Sequence, residues 1–542
     1  MQPAVQDDMG RAQLRKRPAA AQVAKRPSAS VKLASTSQGK RRSRMTPARM
    51  KSLRSAWSIA AAKLGPDAPA GPRNRLEVMT ILERICADLE PAQRASVAAK
   101  FSPGIQLLTD YSGTGQAEQV FQRLFGACGG GQPGLKLDCA RASDIKHQAR
   151  LAISSMSHPP SCILGDLVRR QERNFRKQLR KLTTKCQAMM NPPSQSCPDT
   201  PARQGSRKAK ARLAWLNGVK KLIEETERCA TMGHCYRHCK KCPAVPGLPG
   251  QDWLRVVIAG ISCLDWSSRG KRGQTLGAGA LAWASFVAEI WRSRPDLIVI
   301  ECTRNYNHLD LMFLLGSIYS MSPLVFSPTS IGIPSERYRK YMVLVALGGR
   351  LQWLEGRELN ATAFMSLFGR TLMTDAHIYL NGTPQHYVEA YKTAMAKHRG
   401  FPSSANDIEE LTFQDLLPPN ARRRVGEWCG KLAERGLEEG SPLLFDASQN
   451  VAFGTITSSM PAITTKNMPW SFQLQRPVVP VEKMEAQGFP AILPELTLGL
   501  EKPFDFDVFS SNELSALVGN SMNFGALAVV VLYALIFTCK IE

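Results

Sequence analysis

The stretch that decides the fold is "WLRVVIAGISCLDWSSRGKRGQ", Trp253 to Gln274. "WLRVVIA" is a short, nearly unbroken apolar run that stops at a glycine, the pattern of a strand buried on both faces. Cys263 follows on what reads as a loop at the strand's carboxyl end, in company with Arg269, Lys271 and Arg272. A buried structural cysteine is common and inert. A cysteine on such a loop, among cations, is better placed to be a thiolate. Next come "GALAWASFVAEIWRSR", with helical periodicity, and "PDLIVIE", a second apolar run that ends in Glu301. Strand, loop, helix and strand in succession make the unit of a parallel sheet.

The alternation continues on both sides. "GIQLLTD" is a strand, "SGTGQ" a glycine turn and "AEQVFQRLFG" a helix. "LKLDCARASD" is a strand ending in an acid, "HQARLAISSM" a helix, and "SCILGD" a strand ending in another acid. "SPLVFSP" and "RKYMVLVAL" complete the set. The expected fold class is α/β: a doubly wound, mostly parallel sheet with a smaller second lobe and a disordered basic N-terminal tail. The expected organisation is a tail at 1–66 and a helical lead-in at 67–101. A catalytic domain at 102–350 carries a basic, Cys/His-rich insert at 168–250. A separate lobe covers 351–475, and the chain returns to the catalytic domain at 476–542.

The 542 residues carry a net charge of +25, which points to a polyanionic partner. Between Gly10 and Pro66 there are 15 Lys/Arg and no Asp/Glu. That segment is rich in Ala, Ser and Pro, so it lacks the side chains to repay its ordering entropy. Its two "KRP" clusters and "GKRRSR" resemble nuclear-localisation or nucleic-acid-contact patches, so a nuclear location is expected. No secretory signal is visible, which favours thiols or metal ligands over a disulfide framework for the 14 cysteines. The apolar run "FGALAVVVLYALIF", Phe524 to Phe537, is shorter than the ~20 residues a bilayer requires and reads as a buried helix, not a membrane partner.

In a doubly wound sheet, ligands bind beyond the carboxyl ends of the strands. Those ends carry Asp110-Tyr111-Ser112-Gly113-Thr114-Gly115, then Asp144, Asp166, Cys263 and Glu301 in turn. The full G-x-G-x-x-G fingerprint of a dinucleotide site is missing, so a smaller nucleoside cofactor such as S-adenosylmethionine fits better. The thiol suggests covalent catalysis.

At this point the chain resembles the cytosine-5 DNA methyltransferase family. "DYSGTGQ" looks like that family's D-x-F-x-G-x-G-G, and "ASDIKHQA" is similar to the second motif. "SCLDWS" is similar to P-C-Q-x-[FW]-S, which matches Cys263, Trp266 and Ser267. "ECT" stands where E-N-V is usual, and "GIPSERYR" looks like G-V-P-Q-x-R-x-R, which matches Arg337 and Arg339. "RPVVPVEKMEAQGFP" is close to the ninth motif, and "LVGNSMNFGALAVVV" closes the set with Gly519, Asn520 and Ser521. Ser262 replaces the proline before the nucleophile, Leu264 replaces a polar residue, and Cys302-Thr303 replaces Asn-Val.

The resemblance implies methyl transfer from S-adenosylmethionine to carbon-5 of a flipped-out cytosine through a Cys263 adduct. It makes Cys263, Glu301, Arg337 and Arg339 catalytic, with Arg337 ordering the nucleophile loop. It assigns the cofactor to Asp110, Tyr111, Ser112, Gly113, Thr114, Gly115, Asp144, Asp166, Asn520 and Ser521, and target recognition to 351–475. DNA is the expected partner of a chain acting as a monomer. Structured RNA is the alternative substrate, and a non-catalytic nucleic-acid-binding protein the alternative role.

The insert contains "CATMGHCYRHCKKCP", with Cys229, His234, Cys235, His238, Cys239 and Cys242. Zinc takes four such ligands, often at C-x2-C spacing, and Cys239-x2-Cys242 has it. The expected set is Cys229, Cys235, Cys239 and Cys242, with His234 or His238 as substitutes. Upstream, "RRQERNFRKQLRKLTTK" reads as a basic helix on the nucleic-acid side.

Overall fold

The structure, a computed structural model, describes residues 67–541 apart from 130–131, 191–200, 228–230, 268–272, 402–407, 439, 453 and 493–503. The basic tail, Cys229 and the cationic end of the Cys263 loop therefore lie outside the described residues.

Three helices lead in: α1 (Arg75–Met79), α2 (Ile81–Asp88) and α3 (Pro91–Phe101). Next come β1 (Ile105–Asp110), α4 (Gln116–Ala127), β2 (Leu137–Ser143), α5 (His147–Ser154) and β3 (Cys162–Leu164). The insert region contributes α6 (Leu167–Arg170), α7 (Arg173–Met190), α8 (Pro201–Glu225), β4 (Met232–Cys235) and β5 (Lys240–Pro243). The alternation resumes with β6 (Leu254–Gly260), α9 (Ala280–Ser293), β7 (Leu297–Thr303), α10 (His308–Leu315), β8 (Tyr319–Phe326) and β9 (Arg339–Ala346).

These strands form one nine-stranded sheet in the order β5-β4-β3-β2-β1-β6-β7-β9-β8. The central strands β3, β2, β1, β6 and β7 are parallel, and antiparallel pairs close both edges. A parallel strand is covered on both faces, and the two-residue period shows it. Ile105, Leu107, Val256, Ile258, Leu297 and Val299 enter one core with α4 and the C-terminal helix. Leu108, Val257, Ala259, Ile298 and Ile300 enter the other with α7, α8 and α9. The chain builds β2 and β3 on one side of β1, then returns to place β6 and β7 on the other. The reversal leaves a crevice between the ends of β1 and β6, where such sheets bind ligands.

The insert is more integrated than its composition suggests. Phe175 and Leu179 of α7 and Trp215, Leu216 and Val219 of α8 are buried in the second core, and only their opposite faces are basic. The β4–β5 hairpin extends the main sheet beyond β3.

The 351–475 stretch divides by packing. In α11 (Ala361–Phe368), Phe364 and Phe368 stack near Tyr533 in the first core. Two helices follow, α12 (Gln385–Arg399) and α13 (Pro419–Glu434). Val425 and Trp428 of α13 share a separate core with Phe445, Trp470 and Phe472, beside a small three-stranded sheet of Leu444–Asp446, Pro469–Ser471 and Arg476–Pro477. The chain then returns through α14 (Pro480–Ala486), α15 (Ser511–Asn520) and α16 (Phe524–Ile536). Every residue of α16 is buried, packed against α3 and α4. Its uniform apolarity is that of a core helix, as the sequence length suggested.

Candidate active site

The crevice at the reversal is lined by Tyr111, Ile261, Ser262, Asp265, Trp266 and Trp283. Its two rims are the loops after β1 and β6.

The β1 loop is held from within. Asp110, fully buried, accepts from Arg141 Nη2 at 2.6 Å, Arg170 Nη1 at 3.0 Å and Ser143 Oγ at 2.5 Å. Glu289 of α9 joins both arginines, which makes a four-charge cluster beneath the loop. The two guanidinium groups hold the Asp110 carboxyl below its ordinary range against the opposing effect of burial. Asp110 thus supports the loop from below, and its oxygens are engaged by the protein. Tyr111 takes φ 54, unusual for a side chain of its size, and half-buries its ring edge-on to Phe286. Ser112 bonds to Thr109, and Thr114 Oγ1 lies 2.7 Å from Ser521 Oγ. Gly113, at φ 59, packs against the backbone of Asn520 and Ser521. The motif at 519–521 therefore backs the loop. Asn520 itself turns its amide to Ala516 O at 2.6 Å and is exposed.

Two half-buried acids sit at the next strand ends. Asp144 accepts from the backbone N–H of Gly113 at 3.1 Å and of Lys146 at 2.8 Å. Burial pushes its pKa up. Asp166 caps α6 by accepting from Val168 N at 2.8 Å with one oxygen. Between them along the chain, Ile145 is 67 % exposed, an apolar side chain that the sequence reading passed over. Two carboxylates and an apolar face at the sheet's edge match a nucleoside: hydroxyls and an exocyclic amine donate to carboxylates, and a flat base covers an apolar side chain.

On the other rim, Cys263 is exposed and Leu264 is 65 % exposed. Cys263 O accepts from Trp266 N at 3.0 Å and Ser267 N at 2.9 Å, which closes a tight turn. The turn is fastened by Asp265, another residue that sequence reasoning missed. Its carboxylate accepts from Ala278 N at 3.0 Å and Gly279 N at 2.7 Å, just before α9. A helix start offers unpaired N–H groups and partial positive charge, so a carboxylate is held firmly there. Three glycines clear its space: an added Cβ would lie 1.9 Å from Asp265 Oδ1 at Gly277, 3.2 Å at Gly273 and 3.0 Å from Oδ2 at Gly279. These glycines, spaced downstream of an acid in the same motif, were the available signal.

Glu301 lies two residues before the end of β7, and Arg339 begins β9, the neighbouring antiparallel strand. Arg339 Nε and Glu301 Oε1 pair at 2.9 Å, both nearly buried. The Cys263 loop starts beside this pair: Gly260 is the register partner of Glu301, and Ile261 N donates to Glu301 O at 3.0 Å. Cys302 is buried under the loop and donates weakly to Ile261 O at 3.6 Å. Arg337 donates to Ile463 O at 2.6 Å and Ser521 O at 2.8 Å, so it ties β9's approach to the second lobe and to the 519–521 motif. Burial and Arg339 together bring its pKa down to about 10.

The metal expectation is redrawn. Cys239 is exposed at φ 51, with its sulfur 3.9 Å from Tyr236 O. Cys235 and Cys242 instead converge with His238 and Cys162.

No family profile and no curated protein matches the chain. Solved structures do. The S. pombe Dnmt2 methyltransferase is similar over 80% of this chain and 98% of its own, at 10% identity and TM-score 0.41. A prophage-encoded DNA modification methyltransferase from E. coli is similar over 80% and 98%, at 12% identity and TM-score 0.39. The Entamoeba histolytica methyltransferase EhMeth is similar over 79% and 97%, at 11% identity and TM-score 0.35.

Proposed function

We propose that this chain transfers a methyl group from S-adenosylmethionine to carbon-5 of cytosine in DNA, through a covalent adduct with Cys263. One observation carries the reading: the exposed Cys263 sits on the loop after β6, which leaves the sheet at Gly260, the register partner of Glu301, and Glu301 pairs with Arg339 in a desolvated site. The net charge of +25 supports a nucleic-acid substrate. Asp144 would take the ribose hydroxyls, Asp166 the adenine amino group through its uncapped oxygen, and Ile145 the ring face. The cofactor supplies an electrophilic methyl group.

The Cys263 sulfur bonds to carbon-6 of the ring, and the electron pair so released makes carbon-5 nucleophilic. Glu301 holds the ring nitrogen and amino group, and Arg339 holds the carbonyl oxygen as negative charge builds. After methylation, loss of the carbon-5 proton returns the electron pair that breaks the carbon–sulfur bond. The base must leave the duplex for the sulfur to reach it, and unstacking costs a few kcal/mol. Loops that lead outward from the crevice suit such an extruded base. In the cell this activity would reside in the nucleus, by way of the basic tail.

Labelled methyl transfer to DNA and RNA in parallel tests the reading. Incorporation into cytosine of DNA, its loss in Cys263→Ser, and covalent trapping on a 5-fluorocytosine oligonucleotide are expected. Near-normal turnover by Cys263→Ser would overturn the mechanism, and transfer to RNA alone would move the substrate.

A further inference from the structure

The outer edge of the sheet carries a cluster that the methyl-transfer chemistry does not use. Cys162 opens β3, Cys235 ends β4, Cys242 lies in β5, and His238 sits in the turn between β4 and β5. His238 Nδ1 lies 3.7 Å from Cys162 Sγ, 3.5 Å from Cys235 Sγ and 3.3 Å from Cys242 Sγ. All four ligand atoms fall within 4.8 Å of one another, and none of the three cysteines is in a disulfide. Zn–S bonds of ~2.3 Å and Zn–N bonds of ~2.0 Å at tetrahedral angles put sulfur and nitrogen roughly 3.5 Å apart, and the three separations straddle that value.

One more feature fits a metal. Strand pairing between β4 and β3 is limited to the single register pair Leu164–Cys235. Three sulfurs buried together form a poor apolar core on their own; among the described residues, Leu164 and Ala244 complete that cluster.

We infer that Cys162, Cys235, His238 and Cys242 bind one zinc ion that staples the β4–β5 hairpin to β3. The set is closed, with four protein ligands and no open position, so the metal is structural. It fixes the turn that carries Tyr236. That ring lies under the Arg150 guanidinium at 4.0 Å and against Gly165, where an added Cβ would meet it at 3.1 Å. Gly165 directly precedes Asp166, so the staple braces the strand end that bears this acid.

The test uses full-length protein purified reduced and without chelator. Elemental analysis should find about one zinc per chain, as one four-ligand site requires. Cys162→Ser and Cys242→Ser should lose nearly all of it, while Cys239→Ser and Cys229→Ser keep it. Cobalt exchange of the unmutated protein should give the visible bands of a tetrahedral site and thiolate-to-metal charge transfer. That readout stands even if a variant fails to fold. Stripping the metal should speed hydrogen exchange at 162–166 and 232–243, and zinc should reverse it. Metal-free protein, an octahedral cobalt spectrum, or zinc lost in Cys239→Ser but kept in Cys162→Ser would overturn the site. None of these readouts depends on methyl transfer.

Discussion

The two rims of the crevice are built on opposite principles. The loop after β1 has its polar groups consumed by the protein: Asp110 by two arginines and Ser143, Ser112 by Thr109, Thr114 by Ser521. The loop after β6 presents Cys263 and Leu264 to solvent and is anchored by the buried Trp266 and by the Asp265 carboxylate at the start of α9. A binding surface gains from being rigid before its ligand arrives, because ordering then costs nothing at that moment. A nucleophile that must reach an extruded base gains from exposure, provided a fixed point keeps it aimed. The difference predicts that damage to the first rim appears as lost stability, and damage to the second as lost turnover.

The largest effect should come from the charge cluster under the first rim. Arg141→Met leaves Asp110 and Glu289 facing each other with Arg170 alone between them, in a site nearly closed to water. Removing one partner of a buried ionic network typically costs about 3–5 kcal/mol. Denaturant unfolding should show a loss of that order. A loss below ~1 kcal/mol would mean that the cluster is incidental and that the rims do not differ as described.

A second prediction concerns Glu118, at the first turn of α4 beneath the same rim. It is buried without a cation, accepts from the Thr109 hydroxyl, and burial raises its pKa to about 7. A carboxyl whose folded pKa lies above its unfolded value contributes its stability fully below the unfolded value, near 4.5, and loses it as pH rises through about 7. From pH 4.5 to 8 the native state should therefore lose about 3 kcal/mol relative to a Glu118→Gln protein, at 1.36 kcal/mol per unit. Parallel stability curves for the two proteins over that range would show Glu118 to be ionised in the fold.

What the sequence disclosed follows the same divide. Buried parallel strands must be apolar runs, so their ends, and with them Asp144, Asp166, Cys263 and Glu301, were readable in order. The hairpin was not, because "MGHCYRHCKKCP" has no two-residue alternation and its strands are four residues each. Cys162 stands 76 positions before His238, so no local spacing could join it to the cluster. Asp110 looked like a ligand-facing acid, since nothing local reveals that Arg141 and Arg170 fold beneath it. Arg337 kept its motif position but acquired its partners, Ile463 and Ser521, from distant parts of the chain.

The smallest change in stability, and the sharpest test of the second rim, should come from Asp265. Its carboxylate joins the Cys263 turn to the start of α9. Asp265→Ala removes a capping interaction worth about 1 kcal/mol, little against a whole domain. The turn loses that anchor, however, and misplacement of a reacting group by ~1 Å can cost roughly a hundredfold in rate. Methyl transfer should fall by about that factor, with kcat carrying the loss, while calorimetric affinity for S-adenosylmethionine stays near that of the unmutated protein. Gly277→Ala should reproduce the effect from the other side, because its Cβ would occupy the place of Asp265 Oδ1. Asp265→Asn should recover part of the rate, since one amide oxygen can still accept from one of the two N–H groups. Equal losses of cofactor affinity and turnover would show that the rims act as one unit. Unchanged kcat in both Asp265→Ala and Gly277→Ala would show that the thiol is aimed by something other than this carboxylate.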